Sequence, residues 1–530
     1  DLKSRSFAEE YVRNFMYGEP VPGVVNERVY IRSFLDSVTL EDFNSMARSM
    51  LAADEGFVAV RAKPGAGNAV VNREAFGQLL RDARSAQLEQ LSSKVDEGGL
   101  FDKLPQPGSI VGEKDLGSKI TELTLSNGAR VLLRPTTYDF DAISFFAWSP
   151  GGYMAMPAGK QNQATFAPSL MSNAGLGTMS ATRVDELTAS LNASLQWSIG
   201  EDGEVMAGKT LKKDLDAFLR LVYLTAAEPG TDAMAFNAAR DKLVDQVGPY
   251  VRDPGYRFQV AWSSDLFGNN PRAGAIKASD VQSIDFGATR DLVVGALSNA
   301  ADFTYVLVGD FDIETAKTLV ARHIGAIPAG SVKAPQWEQP LVARSGGGQV
   351  SYRLSREDRV SVRMVWAAPA AWSWQREATI ELLAQALNNR LLDALREDLG
   401  GTYVVSTRAA FSKTPVEQYS FIVQFDTNSD RVDELVAKVR AEVAALVSGS
   451  FDPMYVRQIA AAARRDLDGR SRTNEFWINR MVNALTSGMD FDILGRAKET
   501  LDFVDPQAFR TLASELLVPA HEFVYIMMPE

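Results

Sequence analysis

Cysteine is absent from all 530 residues, which excludes disulfides, thiolate metal sites and cysteine nucleophiles. Histidine is almost absent as well. His323 and His521 are the only two, about two hundred residues apart, and neither has the company that zinc ligation or a serine triad requires. His521-Glu522 is followed by Tyr525 where a second ligating histidine would stand. His323 falls near the end of a predicted helix, Glu314 to Ile324, where a role at the helix dipole is expected. No apolar run approaches the roughly 20 residues needed to cross a bilayer. Positive charge is also in deficit: a formal net charge of -12 argues against nucleic acid or an anionic membrane as partner, since phosphate binding needs concentrated Lys and Arg. The opening residues, Asp1 to Phe7, have neither an initiator methionine nor a signal-peptide pattern, so Asp1 is not expected to start the gene product.

What is present is ordinary globular composition, 46% hydrophobic and 23% charged, in a chain long enough for about three or four domains. A repeat organises it. Thr39, Asp285 and Asp505 each follow an apolar residue (Val38, Ile284, Val504) and precede a helix-compatible stretch, the pattern of an N-cap. Eighteen positions after each stands a phenylalanine (Phe57, Phe303, Phe523) that opens an apolar strand, FVAV, FTYVLV or FVYIMM. Three copies of one cap, helix and strand unit imply three homologous domain ends. The second and third lie about 220 residues apart, room for a whole domain each. The first ends near residue 62 and is expected to be the tail of a domain whose remainder another polypeptide supplies.

Four segments follow. Residues 1–62 are the tail, with a helix up to Gly18 and Pro20. Residues 63–118 form a helical and extended linker, Gly-, Pro- and charge-rich after a helix over 72–94. Residues 119–333 begin a complete domain at ITELTLSNGARVLLRPT, where apolar alternation flanks an Asn127-Gly128 turn, and contain helices at Val184 to Leu191 and Leu211 to Ala226. Residues 334–530 form a last domain, entered through the Pro335 and Trp337 linker, with strands at Val350 to Leu354, Val360 to Ala367 and Ser420 to Phe425. In it Leu383, Leu387, Leu391, Leu395 and Leu399 recur every fourth residue, which predicts a helix with one buried face. Gly400-Gly401 ends it, and Tyr403-Val404-Val405-Ser406-Thr407 has strand composition. Arg396 therefore stands at a helix end and Tyr403 at a strand mouth. On spacing alone, an arginine complementing the dipole or pairing with Asp393, and a core tyrosine, account for both.

The run LREDLGGTYVVS resembles the segment of the M16 zinc metallopeptidases, the pitrilysin and insulinase relatives, that carries an Arg and a Tyr seven positions apart. LSNGARVLL, followed by a strand and Gly151-Gly152, is similar to the opening of an M16 domain. The resemblance covers nearly the whole chain. It implies an α+β fold of repeated domains with antiparallel sheets backed by helices: two complete domains plus the tail. It also implies that Arg396 and Tyr403 contact the substrate carbonyl beside a zinc held by the other half of the enzyme. In this chain the place of the family's His-x-x-Glu-His motif, Gln161 to Val184, holds no histidine and no carboxylate. No metal ligand and no other cofactor is assigned to the chain. The expected function is the C-terminal, substrate-clamping portion of a zinc endopeptidase that encloses and cleaves unfolded peptides. Zinc belongs to an N-terminal M16 partner carrying His-x-x-Glu-His, joined to this chain as a heterodimer, and the chain alone is expected to be inactive. The family layout suggests the periplasm. A non-catalytic scaffold or a peptide-binding subunit of an M16-like assembly is the alternative.

Overall fold

The computed structural model describes residues 4–52, 73–86, 105–189, 191–332, 334–355, 359–399, 405–503 and 505–530. The chain divides into two units, residues 1–94 and 95–530.

In the first unit, helices α1 (Ser4–Tyr17), α2 (Val24–Leu35), α3 (Leu40–Ala52) and α4 (Arg73–Ser85) are described. The cap expected at Thr39 is formed: its Oγ1 accepts from the Asp42 N–H at 3.3 Å, while its own N–H donates to Asp42 Oδ2 at 2.8 Å. Phe57 and its strand lie outside the described residues. α2 buries no residue.

The second unit contains one topology twice. The first copy runs β1 (Ile110–Asp115), β2 (Thr121–Leu125), β3 (Arg130–Pro135), β4 (Ala142–Pro150), α5 (Gln161–Asn173), α6 (Ala181–Thr188), β5 (Ser194–Ile199), β6 (Gly203–Leu211), α7 (Leu215–Ala227), α8 (Ala233–Tyr250), α9 (Pro254–Leu266), α10 (Ala278–Gln282), α11 (Phe286–Leu297) and β7 (Thr304–Gly309), with α12 (Ile313–His323) behind it. The second runs β8 (Gly348–Ser355), β9 (Val360–Pro369), α13 (Trp374–Leu399), β10 (Val405–Ser412), β11 (Gln418–Thr427), α14 (Val432–Ser448), α15 (Pro453–Arg470), α16 (Asn474–Thr486), α17 (Ile493–Phe503), α18 (Pro506–Leu516) and β12 (Glu522–Pro529). The sheets are ordered β1-β2-β3-β7-β4-β6-β5 and β8-β12-β9-β11-β10. The strand that closes each copy pairs in parallel with an earlier one, β7 with β3 and β12 with β8, and every other pairing is antiparallel. This is an α+β fold, with one parallel pair in each sheet because the return passes through a whole layer of helices. β1 extends the first sheet from within the stretch expected as linker; its IVGEKD shows too little alternation to announce a strand.

The helix starts repeat with the strands. Asp232, Asp253 and Asp285 cap α8, α9 and α11 through the N–H groups of Ala235, Tyr256 and Ala288. Asp452, Thr473 and Asp505 do the same for α15, α16 and α18. α6 starts at Ala181 rather than Val184 because the Ser180 side chain accepts from the Arg183 N–H.

Each sheet is buried on both faces, and the two copies cover each other. On the inner face of the first sheet, Phe145, Leu307 and Tyr305 pack against Phe218 and Val222 of α7; on that of the second, Met364 and Val524 pack against Leu387 of α13 and Val439 of α14. The outer face of the first sheet, Leu132, Val306 and Val308, is covered by Trp477 and Met481 of α16, from the second copy. The outer face of the second, Val365, Phe523 and Tyr525, is covered by Phe258, Trp262 and Leu266 of α9, from the first. An arginine from the recipient sheet lies over each tryptophan: Arg134 is 3.3 Å from the Trp477 ring centre and Arg363 is 4.8 Å from that of Trp262.

His323 is fully buried, and its Nε2 meets Asp216 Oδ1 at 2.9 Å. Its Nδ1 has no partner among the described residues. Burial lowers the imidazole's pKa below the usual 6.5, against the opposing hydrogen bond to Asp216, so it is a neutral core group and not the charged dipole partner expected. Burial works to raise Asp216, but the bond from His323 and the charges of Arg220 and Arg322 outweigh it and hold its carboxyl below the ordinary value. The unfolded chain therefore takes up the histidine proton first as the pH falls. The contribution of this group to stability is fully present above the unfolded value of about 6.5 and is lost progressively as the pH falls below it. Urea midpoints should drop between about pH 7.5 and 5.5 in the wild type and less so in His323→Gln, a difference expected from the linkage; parallel curves would contradict this account.

Candidate functional site

The stripe of α13 is buried as the sequence predicts as far as Leu391, while the side chains of Leu395 and Leu399 lie outside the described residues. Leu383, Leu387 and Leu391 are buried in the second core, with Ile380 and Ala384 beside them. Its polar face is tied down as well. Arg390 Nε donates to Glu442 Oε2 at 3.0 Å, and Tyr455 Oη donates to Asp393 Oδ2 at 2.9 Å. Burial raises the Tyr455 phenol; Arg390 opposes this and Asp393 adds to it, so the phenol is a neutral donor. Asp393 is thus engaged by Tyr455. Asn388 then joins α13 to β10, its Oδ1 accepting the Thr407 N–H at 2.9 Å. This one bond fixes the helix against the strand immediately before the segment of interest returns.

Arg396 lies on α13 near its end, and its side chain is outside the described residues; Tyr403 is outside them too. The elements on either side of them are placed. α13 runs to Leu399 and β10 begins at Val405, with its own side free at the sheet edge among the described strands. A groove of about 500 Å³ lies where α13 meets β10 and β11, lined by Glu381, Gln385, Thr407, Arg408 and Ile422. The Thr407 hydroxyl is buried there without a partner among the described residues. Arg408 is held across the sheet by Gln424 Oε1 at 3.1 Å. Asn388 and Thr407 were not evident as site-forming residues; the only sequence signal is a pair of asparagines, Asn388-Asn389, inside an otherwise apolar helical stripe.

The residues that would have to hold zinc do not fit it. Helix α5 forms at the place of the family's metal motif, but it contains Pro168, and its polar side chains are turned to protein partners. Gln163 Nε2 donates to Thr289 Oγ1 at 3.2 Å, and Gln161 Nε2 donates to the Arg272 carbonyl at 3.1 Å. Among the described residues no three of His, Asp, Glu or Cys converge as a metal-binding group. His521 is likewise engaged in the fold, its Nδ1 2.8 Å from Tyr419 Oη.

Residues 297–462 match the family model described as Peptidase M16 inactive domain. The chain is 22% identical over 438 residues to a probable zinc protease PqqL of Haemophilus influenzae, covering 80% of this chain and 46% of that protein. It is 22% identical over 541 residues to a zinc protease PQQL-like protein of Arabidopsis thaliana, covering 94% and 52%. The solved structure of the periplasmic protease PqqL from Escherichia coli superposes with a TM-score of 0.74 at 17% identity, over 87% of this chain and 51% of that one. The chain spans about half the length of the curated relatives it matches. Residues 297–462 thus match the M16 inactive-domain type, and most of the chain is similar to PqqL-type zinc proteases and shares the fold of a solved one.

Proposed function

We propose that this chain is the C-terminal, substrate-clamping portion of a zinc-dependent endopeptidase that encloses and cleaves unfolded peptides. The observation that supports the reading is a groove between α13 and the open sheet edge at β10, lined by Glu381, Gln385, Thr407 and Arg408, on the two elements that flank the segment of Arg396 and Tyr403 in sequence. An extended peptide laid along β10 would gain main-chain hydrogen bonds from the strand. Arg396 and Tyr403 would then donate to the carbonyl oxygen being attacked. Zinc, held by an N-terminal portion, would supply the activated water. The periplasm is the proposed location, by likeness to the Escherichia coli protease.

The first unit supports a missing partner. Phe43, Met46 and Met50 follow Thr39 at the intervals at which Phe509, Leu512 and Leu516 follow Asp505. The latter three are buried in the second core, whereas the former three are exposed. A helix with this stripe is built to back a sheet, and the contact that covers it should be an obligate one of more than about 2,000 Å².

The purified chain is expected to retain no stoichiometric zinc after dialysis and to leave an unstructured peptide uncut. The product of the complete gene should hold zinc and cleave the same peptide. One tightly held zinc per isolated chain would relocate the active site, and a complete product with neither zinc nor activity would favour the scaffold reading.

A further inference from the structure

Helix α1 has no counterpart role in the proposal so far, yet its place in the repeat is defined. α16 precedes the last cap, Asp505, and α9 precedes Asp285; α1 precedes Thr39 in the same order of elements. The match extends to side chains. Tyr11 stands as far before Thr39 as Trp477 stands before Asp505, and Phe15 as far as Met481. With Phe7 they form a stripe at every fourth residue, the spacing that Phe258, Trp262 and Leu266 show on α9. In α9 and α16 these side chains are buried on the outer face of the other copy's sheet. In α1 they are bare: Phe7 is 40% exposed, Tyr11 60% and Phe15 88%.

We infer that α1 is the exchange helix of the incomplete domain, and that its Phe7-Tyr11-Phe15 stripe docks on the outer face of a β-sheet in the N-terminal portion of the protein. This rests on the reading that the chain is the C-terminal part of a longer M16 protein. The direction follows from the duplication. α16 belongs to the later domain of its pair and covers the sheet of the earlier one, so α1, which ends its own domain before the connector, covers the sheet of the domain before that. The occupant is a sheet rather than another helix, because on both completed copies the stripe meets alternate residues of a strand, such as Val306 and Val308 of β7 or Phe523 and Tyr525 of β12. Aromatic side chains of this size on the outside of a helix suit a flat, β-branched surface and not water. The fit predicts apolar residues at every second position on the receiving strands.

The test uses the product of the complete gene. Because residues 1–530 contain no cysteine, Phe15→Cys and, on the opposite side of the helix, Arg13→Cys introduce single reporters into α1. Maleimide labelling is read by mass on the α1 peptide. Phe15→Cys is expected to label at least about 10-fold more slowly than Arg13→Cys, and equal rates would overturn the proposal. A photo-crosslinking benzoyl-phenylalanine at Phe15 identifies the receiving surface. Crosslinks to outward-facing strand residues of the N-terminal portion are expected; crosslinks to a helix, to a second copy of this chain, or to nothing would overturn it. Peptidase activity on the same samples separates the two readings. Activity with an unprotected Phe15→Cys removes the docking alone, and protection without activity removes the enzymatic assignment alone.

Discussion

Tyr403→Phe in the complete enzyme is expected to lower kcat by roughly 10² to 10³, with thermal stability and zinc content nearly unchanged. The substitution removes one hydroxyl and keeps the ring. If that hydroxyl meets the carbonyl oxygen of the scissile peptide, its hydrogen bond strengthens as the oxygen becomes an anion, and the loss falls on the transition state rather than on substrate binding. KM should therefore move little while kcat falls. Arg396→Lys should not preserve activity, because an ammonium cannot reproduce the planar fork of guanidinium donors. If Tyr403 were only core and Arg396 only a helix-end charge, both variants would change stability or nothing. Wild-type kcat on a short peptide in a folded Tyr403→Phe enzyme would remove the catalytic assignment.

The second large effect lies at the exchanged helices. Trp477→Ala should cost about 3–5 kcal/mol, the range for deleting a large aromatic from a packed interior. Trp477 is almost wholly buried, covers Val306 and Val308, and donates its Nε1–H to the Ser471 carbonyl at 2.9 Å. Its removal also strips Arg134 of the ring it lies on. Arg134 is buried, its Nε has no hydrogen-bond partner, and burial already works against its charge, so the aromatic face is a principal compensation for holding a cation there. Trp477→Phe should lose markedly less, since a smaller π-face remains. Urea unfolding followed by circular dichroism checks the pair. A loss under about 1 kcal/mol for Trp477→Ala, below the range for buried aromatics, would mean that the outer face of the first sheet does not depend on α16.

Much of this fold was legible before any coordinates. Asp285 and Asp505 announced helix starts, and Phe303 and Phe523 announced the strands that close each sheet, because caps and apolar strand openings are local signals. The α13 stripe was legible for the same reason. What the sequence could not convey was where an apolar face goes. The Phe258-Trp262-Leu266 spacing says that α9 is buried on one side; nothing in it says that the cover is the sheet of the other copy. The Asn388 bond to Thr407 and the buried His323 with Asp216 are contacts between distant residues and leave no spacing to read. At the candidate site, Arg396 and Tyr403 stood out only through a family resemblance, since their local chemistry is equally that of a helix end and a strand start. The groove between α13 and β10 depends on β11, which no short motif connects to α13.

The exchange of α9 and α16 also sets an order of events at the ribosome. The first sheet closes when β7 is made, but the helix that covers its outer face ends roughly 180 residues later, at Thr486. At about 5–20 residues per second, that leaves Leu132, Val306 and Val308 uncovered for some ten to forty seconds of synthesis. α9 meanwhile waits with its own aromatic stripe bare until the second sheet exists. Neither domain can finish alone, so a chain interrupted between the two copies releases two complementary sticky surfaces rather than one finished domain, and nascent chains emerging side by side could exchange helices with each other before either has made its own partner.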